Sequence, residues 1–194
     1  MLTFRLFRTI IRIDFGFFAV VALMLLISDE NMVYMCFASC LLHESGHLAA
    51  MKICGCGVKY VELYGAGIKI VPDISNCTRT GEALILCSGC AVNFILFLVV
   101  STFGGEDASL FSAINLALML FNLIPVGCFD GGQLFLLISE GTAYERTVQF
   151  FTMVIMPIVI SLCAVVAFFV FDVGITAVFT TFFFLVTSFL REFG

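Results

Sequence analysis

His43 and His47 are the only two histidines in this chain of 194 residues, and they stand four apart with Glu44 beside the first. On a helix, four residues turn about 400° and rise about 6 Å, so both imidazoles fall on one face a single turn apart. That spacing suits two ligands of one zinc ion, with the Glu44 carboxylate placed to take a proton from an attacking water. The plainer alternative is a pair of core histidines hydrogen-bonded to each other. Around them runs Cys36–Ile53, "CFASCLLHESGHLAAMKI", whose flanks are largely apolar. Ionisable groups inside such a span are costly and are commonly there for function.

A catalytic zinc takes three protein ligands and keeps a fourth position for water. With no third histidine, the remaining ligand must be a carboxylate or a thiolate. Away from the span ends, where Asp14 and Glu82 sit, the acids are Glu44 and Asp130. Glu44 is needed as the base, which makes Asp130 the carboxylate candidate and Cys128 the thiolate competitor. A third reading of Asp130 is a simple N-cap for a helix beginning at Gly131.

These groups need elements to hold them, and composition says what kind. The chain is 62% hydrophobic and 12% charged, with 24 Phe and a mean hydropathy of +1.17. An ordinary globular domain is about 45–50% apolar and about 25% charged. Apolar runs of roughly 20 residues, enough to cross a bilayer core, recur along the chain. The expected fold is an all-α polytopic membrane protein with six transmembrane helices, near 14–28, 32–52, 82–103, 109–138, 147–170 and 173–190. The net charge of −5 says less than the placement of the charges. Arg5, Arg8, Arg12, Lys52, Lys59, Lys69, Arg79, Arg146 and Arg191 are all the basic residues, and all fall on one side of that layout. The loops marked by Asp29-Glu30, Glu106-Asp107 and Asp172 carry none. The positive-inside rule therefore puts both termini and the 53–81 segment in the cytoplasm.

Two departures from plain helix interrupt this layout. Lys59–Val71, "KYVELYGAGIKIV", sets β-branched and aromatic residues around Gly65-Ala66-Gly67 and predicts a small β-hairpin between the second and third spans. The fourth span is broken at "FNLIPVGCFDGG", because Pro125 removes a helix donor and clashes with the preceding turn. Irregular backbone at membrane depth is tolerated where it is buried in protein or lines a wet cavity, so Asp130 is expected to face the interior. Of the nine cysteines, Cys54-Gly-Cys56 and Cys87-x-x-Cys90 lack the context of a metal or redox motif. Small-residue packing is the expectation for both pairs.

His43-Glu44-x-x-His47 in the second span, with Asn122-x-x-Pro125-x-x-x-x-Asp130-Gly131 in a broken later one, resembles the site-2 protease intramembrane metalloproteases. Gly89-Cys90-Ala91-Val92-Asn93 is similar to that family's Gly-Pro-x-x-Asn element, with Cys90 in place of the usual Pro; Phe129 replaces the usual Leu before Asp130. The segment "NLIPVGCFDGGQLFLLIS" is most similar to the sporulation sigma-factor-processing branch, without its C-terminal regulatory domain. The resemblance implies zinc held by His43, His47 and Asp130, with Glu44 catalytic. It further implies that the hairpin and the Asn122–Asp130 loop, with Asn93, Asn122, Pro125 and Gly131, receive an unwound substrate segment. Interhelical hydrogen bonding is the plainer role for Asn93, Asn115 and Asn122.

The expected function is thus zinc-dependent hydrolysis of a peptide bond within or beside a substrate's membrane helix, near the cytoplasmic side. A metal-ion transporter is the alternative, as is an inactive relative that binds membrane helices. The expected partners are a membrane-anchored protein substrate, the lipid bilayer and a regulatory membrane partner; nucleic acid is not expected. Residues 1–194 are expected to form one domain, with no segment long enough for a PDZ or nucleotide-sensing module.

Overall fold

A computed structural model describes residues 1–171 apart from Phe7, Arg8, Ser28, Ala66, Ile74, Asn76, Glu106 and Asp107. The expected sixth span, 173–190, lies outside the described residues, as do Asp172 and Arg191. The chain divides into two compact units, Met1–Leu123 and Ile124–Gly194.

In the first unit, strands β1 (Leu2–Leu6) and β2 (Thr9–Ile13) precede helices α1 (Phe15–Ile27) and α2 (Glu30–Cys54). Strands β3 (Gly57–Tyr64) and β4 (Gly67–Asp73) follow, then helices α3 (Arg79–Phe103) and α4 (Ser109–Asn122). α2 stops at Gly55, whose φ of 71° is open to a residue without Cβ. The Cys56 N–H then reaches back to the Met51 carbonyl at 2.9 Å, closing the helix end. α3 starts where the Thr78 hydroxyl accepts the Gly81 N–H at 3.1 Å, an N-cap that satisfies one free donor.

The sequence led to a hairpin alone, and an all-α expectation is too narrow: the described residues contain a four-stranded sheet in the order β1-β2-β3-β4. β3 and β4 are the expected antiparallel hairpin, while β2 lies parallel to β3 with Arg12 in register with Glu62. The sequence shows no sign of strands ahead of the first expected span, because their partner strand lies far along the chain. Arg12 also stacks over the Tyr60 ring, 4.3 Å from its centroid. The sheet is fastened to α1 by the Asp14 N–H, which donates to the Leu63 carbonyl at 2.8 Å.

Among the described residues, Arg79–Phe103 and Glu145–Cys163 are long and apolar enough to cross a membrane by length and composition, and Phe15–Leu26 and Ser109–Asn122 are shorter apolar helices. Large apolar side chains such as Phe15, Leu26, Ile53 and Phe103 stand exposed. The buried interior is correspondingly small. Met51, Cys56 and Ile85 form one cluster of it, under the sheet and between α2 and α3. Cys56 is not simply a packing residue there: a disulfide joins it to Cys77, 21 residues on. Spacing alone could not reveal this pair, because the hairpin between them brings the two ends together. Cys87 and Cys90 are not bonded to each other.

In the second unit, Pro125 lies in a non-helical passage that ends where α5 (Asp130–Ser139) begins. A longer helix follows in three parts: α6 (Glu145–Phe150), a π-helical turn (Phe151–Ile155) and α7 (Met156–Phe171).

Candidate active site

Every fourth residue along one face of α3, namely Gly81, Ile85, Gly89 and Asn93, is buried, and this stripe receives the histidine face of α2. Small residues permit the approach. A Cβ on Gly46 of α2 would lie 2.7 Å from the Ser88 carbonyl oxygen and 2.8 Å from Val92 Cγ2. Such close helix contact through small residues is the packing that lipid-facing bundles favour. Ser39 of α2 and Asn115 of α4, both fully buried, bond through the Asn115 amide nitrogen at 3.1 Å and bring α4 against the same helix.

His43 and His47 are buried, and their Nε2 atoms lie 3.1 Å apart. Each ring is held from behind through Nδ1. His47 Nδ1 lies 2.7 Å from the Ile85 carbonyl, an acceptor that requires the proton to sit on that nitrogen. The Ser88 hydroxyl donates to the same carbonyl at 2.6 Å. His43 Nδ1 lies 3.2 Å from the amide nitrogen of Asn93. Asn93 is fully buried, and its Oδ1 has no hydrogen-bond partner. This gives Asn93 a contact with the first histidine. Glu44, between the two histidines in sequence, is half-buried.

Gly89, the first residue of the Gly-Pro-x-x-Asn-like element, lies against the two histidines. A Cβ there would come within 2.5 Å of His47 Nε2 and 2.6 Å of His43 Nε2. With no side chain, Gly89 lets both ring nitrogens come up against the α3 backbone. Its four-residue spacing from Ile85 and Asn93 was the available signal, since that places all three on one helix face.

Asn122 ends α4, half-buried, with its amide nitrogen donating to the Leu118 carbonyl one turn back at 3.1 Å. In the second unit, Phe129 occupies the N-cap position of α5 and Asp130 is the first helical residue, which is not the capping place considered above. A carboxylate in the first turn is still favoured by the helix dipole. Pro125, Cys128 and Asp130 are half-buried and Gly131 is buried.

Residues 107–166, which span this second motif, match the family model described as peptidase family M50. Over 107 residues, half of the chain, the sequence is 35% identical to a putative zinc metalloprotease of Synechocystis. The matched stretch covers 28% of the Synechocystis protein's length. The fold is also similar to that of a site-2 protease from Methanocaldococcus jannaschii, with a TM-score of 0.64 at 23% identity. That match covers 97% of this chain and 94% of the archaeal one.

Proposed function

We propose that the protein is an intramembrane zinc endopeptidase that cuts a membrane-anchored protein within or beside its membrane helix. The observation that carries this reading is the pair of Nε2 atoms 3.1 Å apart, brought against the α3 backbone where Gly89 has no side chain. Zinc–nitrogen bonds of 2.0–2.1 Å in a tetrahedral site put two ligand nitrogens about 3.3 Å apart, so the pair suits one ion. Asn93 supports the same reading. The two ends of an amide are told apart only by their hydrogen bonds. Turned over, the unpartnered Asn93 Oδ1 accepts from His43 Nδ1, as the Ile85 carbonyl accepts from His47. Both Nε2 atoms would then be the unprotonated ring nitrogens, the form in which imidazole binds a metal ion.

In this reading His43, His47 and Asp130 hold the ion, and Asp130 is preferred to Cys128 on the motif it belongs to. A bound zinc supplies a Lewis acid that makes water a better nucleophile near neutral pH and polarises a carbonyl. Glu44 takes the proton of the water that attacks the peptide carbon. As the C–N bond breaks, Glu44 returns that proton to the leaving amine. Asn122, Pro125 and Gly131, with the β3–β4 hairpin, receive the substrate as an extended segment, because a helix hides its peptide bonds and a strand exposes them to pairing. Asn93 acts behind His43, and any contact it makes with substrate runs through the imidazole it orients.

The six-span layout, both termini in the cytoplasm and the two units working as one catalytic domain complete the proposal. A membrane partner or prior trimming of the substrate would control access. The test is reconstitution in liposomes with a membrane-anchored protein whose helix has been loosened by helix-breaking residues. Cleavage should stop on treatment with a zinc chelator and return on adding zinc. Cleavage that persists in chelator, with zinc verified absent, would overturn the reading.

A further inference from the structure

The segment that carries Asp130 is held by a carbonyl that its own helix cannot satisfy. In the α6–π–α7 helix, the Met156 N–H bonds to the Phe151 carbonyl, five residues back. In a regular α-helix that donor would go to Thr152. The next donor in line, at position 157, does not exist, because residue 157 is proline and has no N–H. The Thr152 carbonyl thus loses both its α-type and its π-type partner. Thr152 is fully buried, away from water, where a backbone acceptor must find a donor. It finds the Gly127 N–H, at 3.2 Å.

The same peptide unit is fixed from its other end. The Val126 carbonyl accepts the Phe129 N–H at 2.9 Å, and the Cα of Gly132 packs so closely on it that a Cβ at 132 would overlap the Val126 oxygen. Val126 itself is buried. The 126–127 peptide is therefore pinned on its N–H side by Thr152 and on its C=O side by Phe129 and Gly132. Asp130 lies between those contacts in sequence, next to Phe129.

We propose that Pro157 and the π-turn are a positioning device for Asp130: together they strip the Thr152 carbonyl of helical donors so that it clamps the loop from which Asp130 projects. The proposal rests on Asp130 being a metal ligand, and it gives Pro157 a role although it lies 27 positions along the chain from that ligand. Neither Pro157 nor Thr152 touches substrate; both act through the loop.

The test compares Pro157→Ala, Gly132→Ala and Asp130→Asn in the purified full chain. Pro157→Ala restores a donor at 157, so Thr152 can return to its own helix and release Gly127. In metal-free protein, deuterium exchange at the Gly127 amide should become faster while the thermal midpoint stays the same or rises. Zinc affinity by chelator competition should fall about ten-fold, as for other groups that orient a ligand from behind. The visible spectrum of the cobalt-substituted protein should change as well. Gly132→Ala, which pushes on the same peptide from the other side, should reproduce both metal effects. Unchanged exchange in Pro157→Ala would overturn the clamp. Faster exchange with unaltered zinc affinity and cobalt spectrum would overturn its link to Asp130. Asp130→Asn serves to separate the two ideas: if it binds zinc as tightly as wild type, the ligand assignment fails, whatever the exchange result says of the clamp.

Discussion

Gly89 concentrates the chemistry of the site at one atom that is absent. Replacing it with Ala would drive a methyl group against both Nε2 atoms, so zinc affinity measured by chelator competition should fall about 10–100-fold, with little change in helix content by circular dichroism. Asn93→Ala should lower zinc affinity about ten-fold by freeing His43 Nδ1, again read by competition. Asp130→Asn should cost more than Cys128→Ser, and the reverse ranking would hand the third ligand position to Cys128. The residues carrying these predictions differ in how openly the sequence displays them. His43, Glu44 and His47 are legible because their chemistry is rare in an apolar span and their spacing is that of one helix turn. Gly89 is legible as the start of the Gly-Pro-x-x-Asn-like element, but its place against the histidines is not, since only its neighbours across the helix pair reveal it. Asn93 was visible as a polar residue, but its hydrogen bond to His43 joins positions 50 residues apart.

At the level of elements, the α2–α3 contact depends on Gly46 meeting the backbone of Ser88. Gly46→Ala should force the two helices apart, destabilising the protein by about 1–3 kcal/mol in a denaturation measurement and weakening zinc binding with it. The described helices follow the hydrophobic runs closely: α2 covers the expected 32–52, α3 the expected 82–103, and α4 with α5 the broken 109–138. Length and apolarity announce such elements directly. The break around Pro125 was also legible, because proline acts on its own helix. The π-turn was not, since it depends on which donor each carbonyl finds. The N-terminal strands β1 and β2 escaped notice for a related reason. Their alternation is short, and the parallel pairing of Ile10–Ile13 with Tyr60–Leu63 joins segments that a whole helix pair separates.

For the molecule as a whole, orientation and redox state are linked. In the proposed orientation the 53–81 segment, with Cys56 and Cys77, lies in the cytoplasm, where structural disulfides are rare. The pair that the fold brings into bonding contact should therefore be found as thiols in acid-quenched cells and as a disulfide only after oxidation. A fully bonded pair in quenched cells would place that segment on the oxidising side and invert the proposed topology. The central claim is that Glu44 moves the proton in a peptide-bond hydrolysis while the ion is held by other residues. Its most direct test reconstitutes wild type and Glu44→Gln with the same membrane-anchored substrate, measuring bound zinc and cleavage in the same samples. The account predicts that Glu44→Gln keeps its zinc and loses cleavage by at least about 10²-fold, the usual scale of a general base. Cleavage by Glu44→Gln at the wild-type rate, with zinc bound, would contradict it.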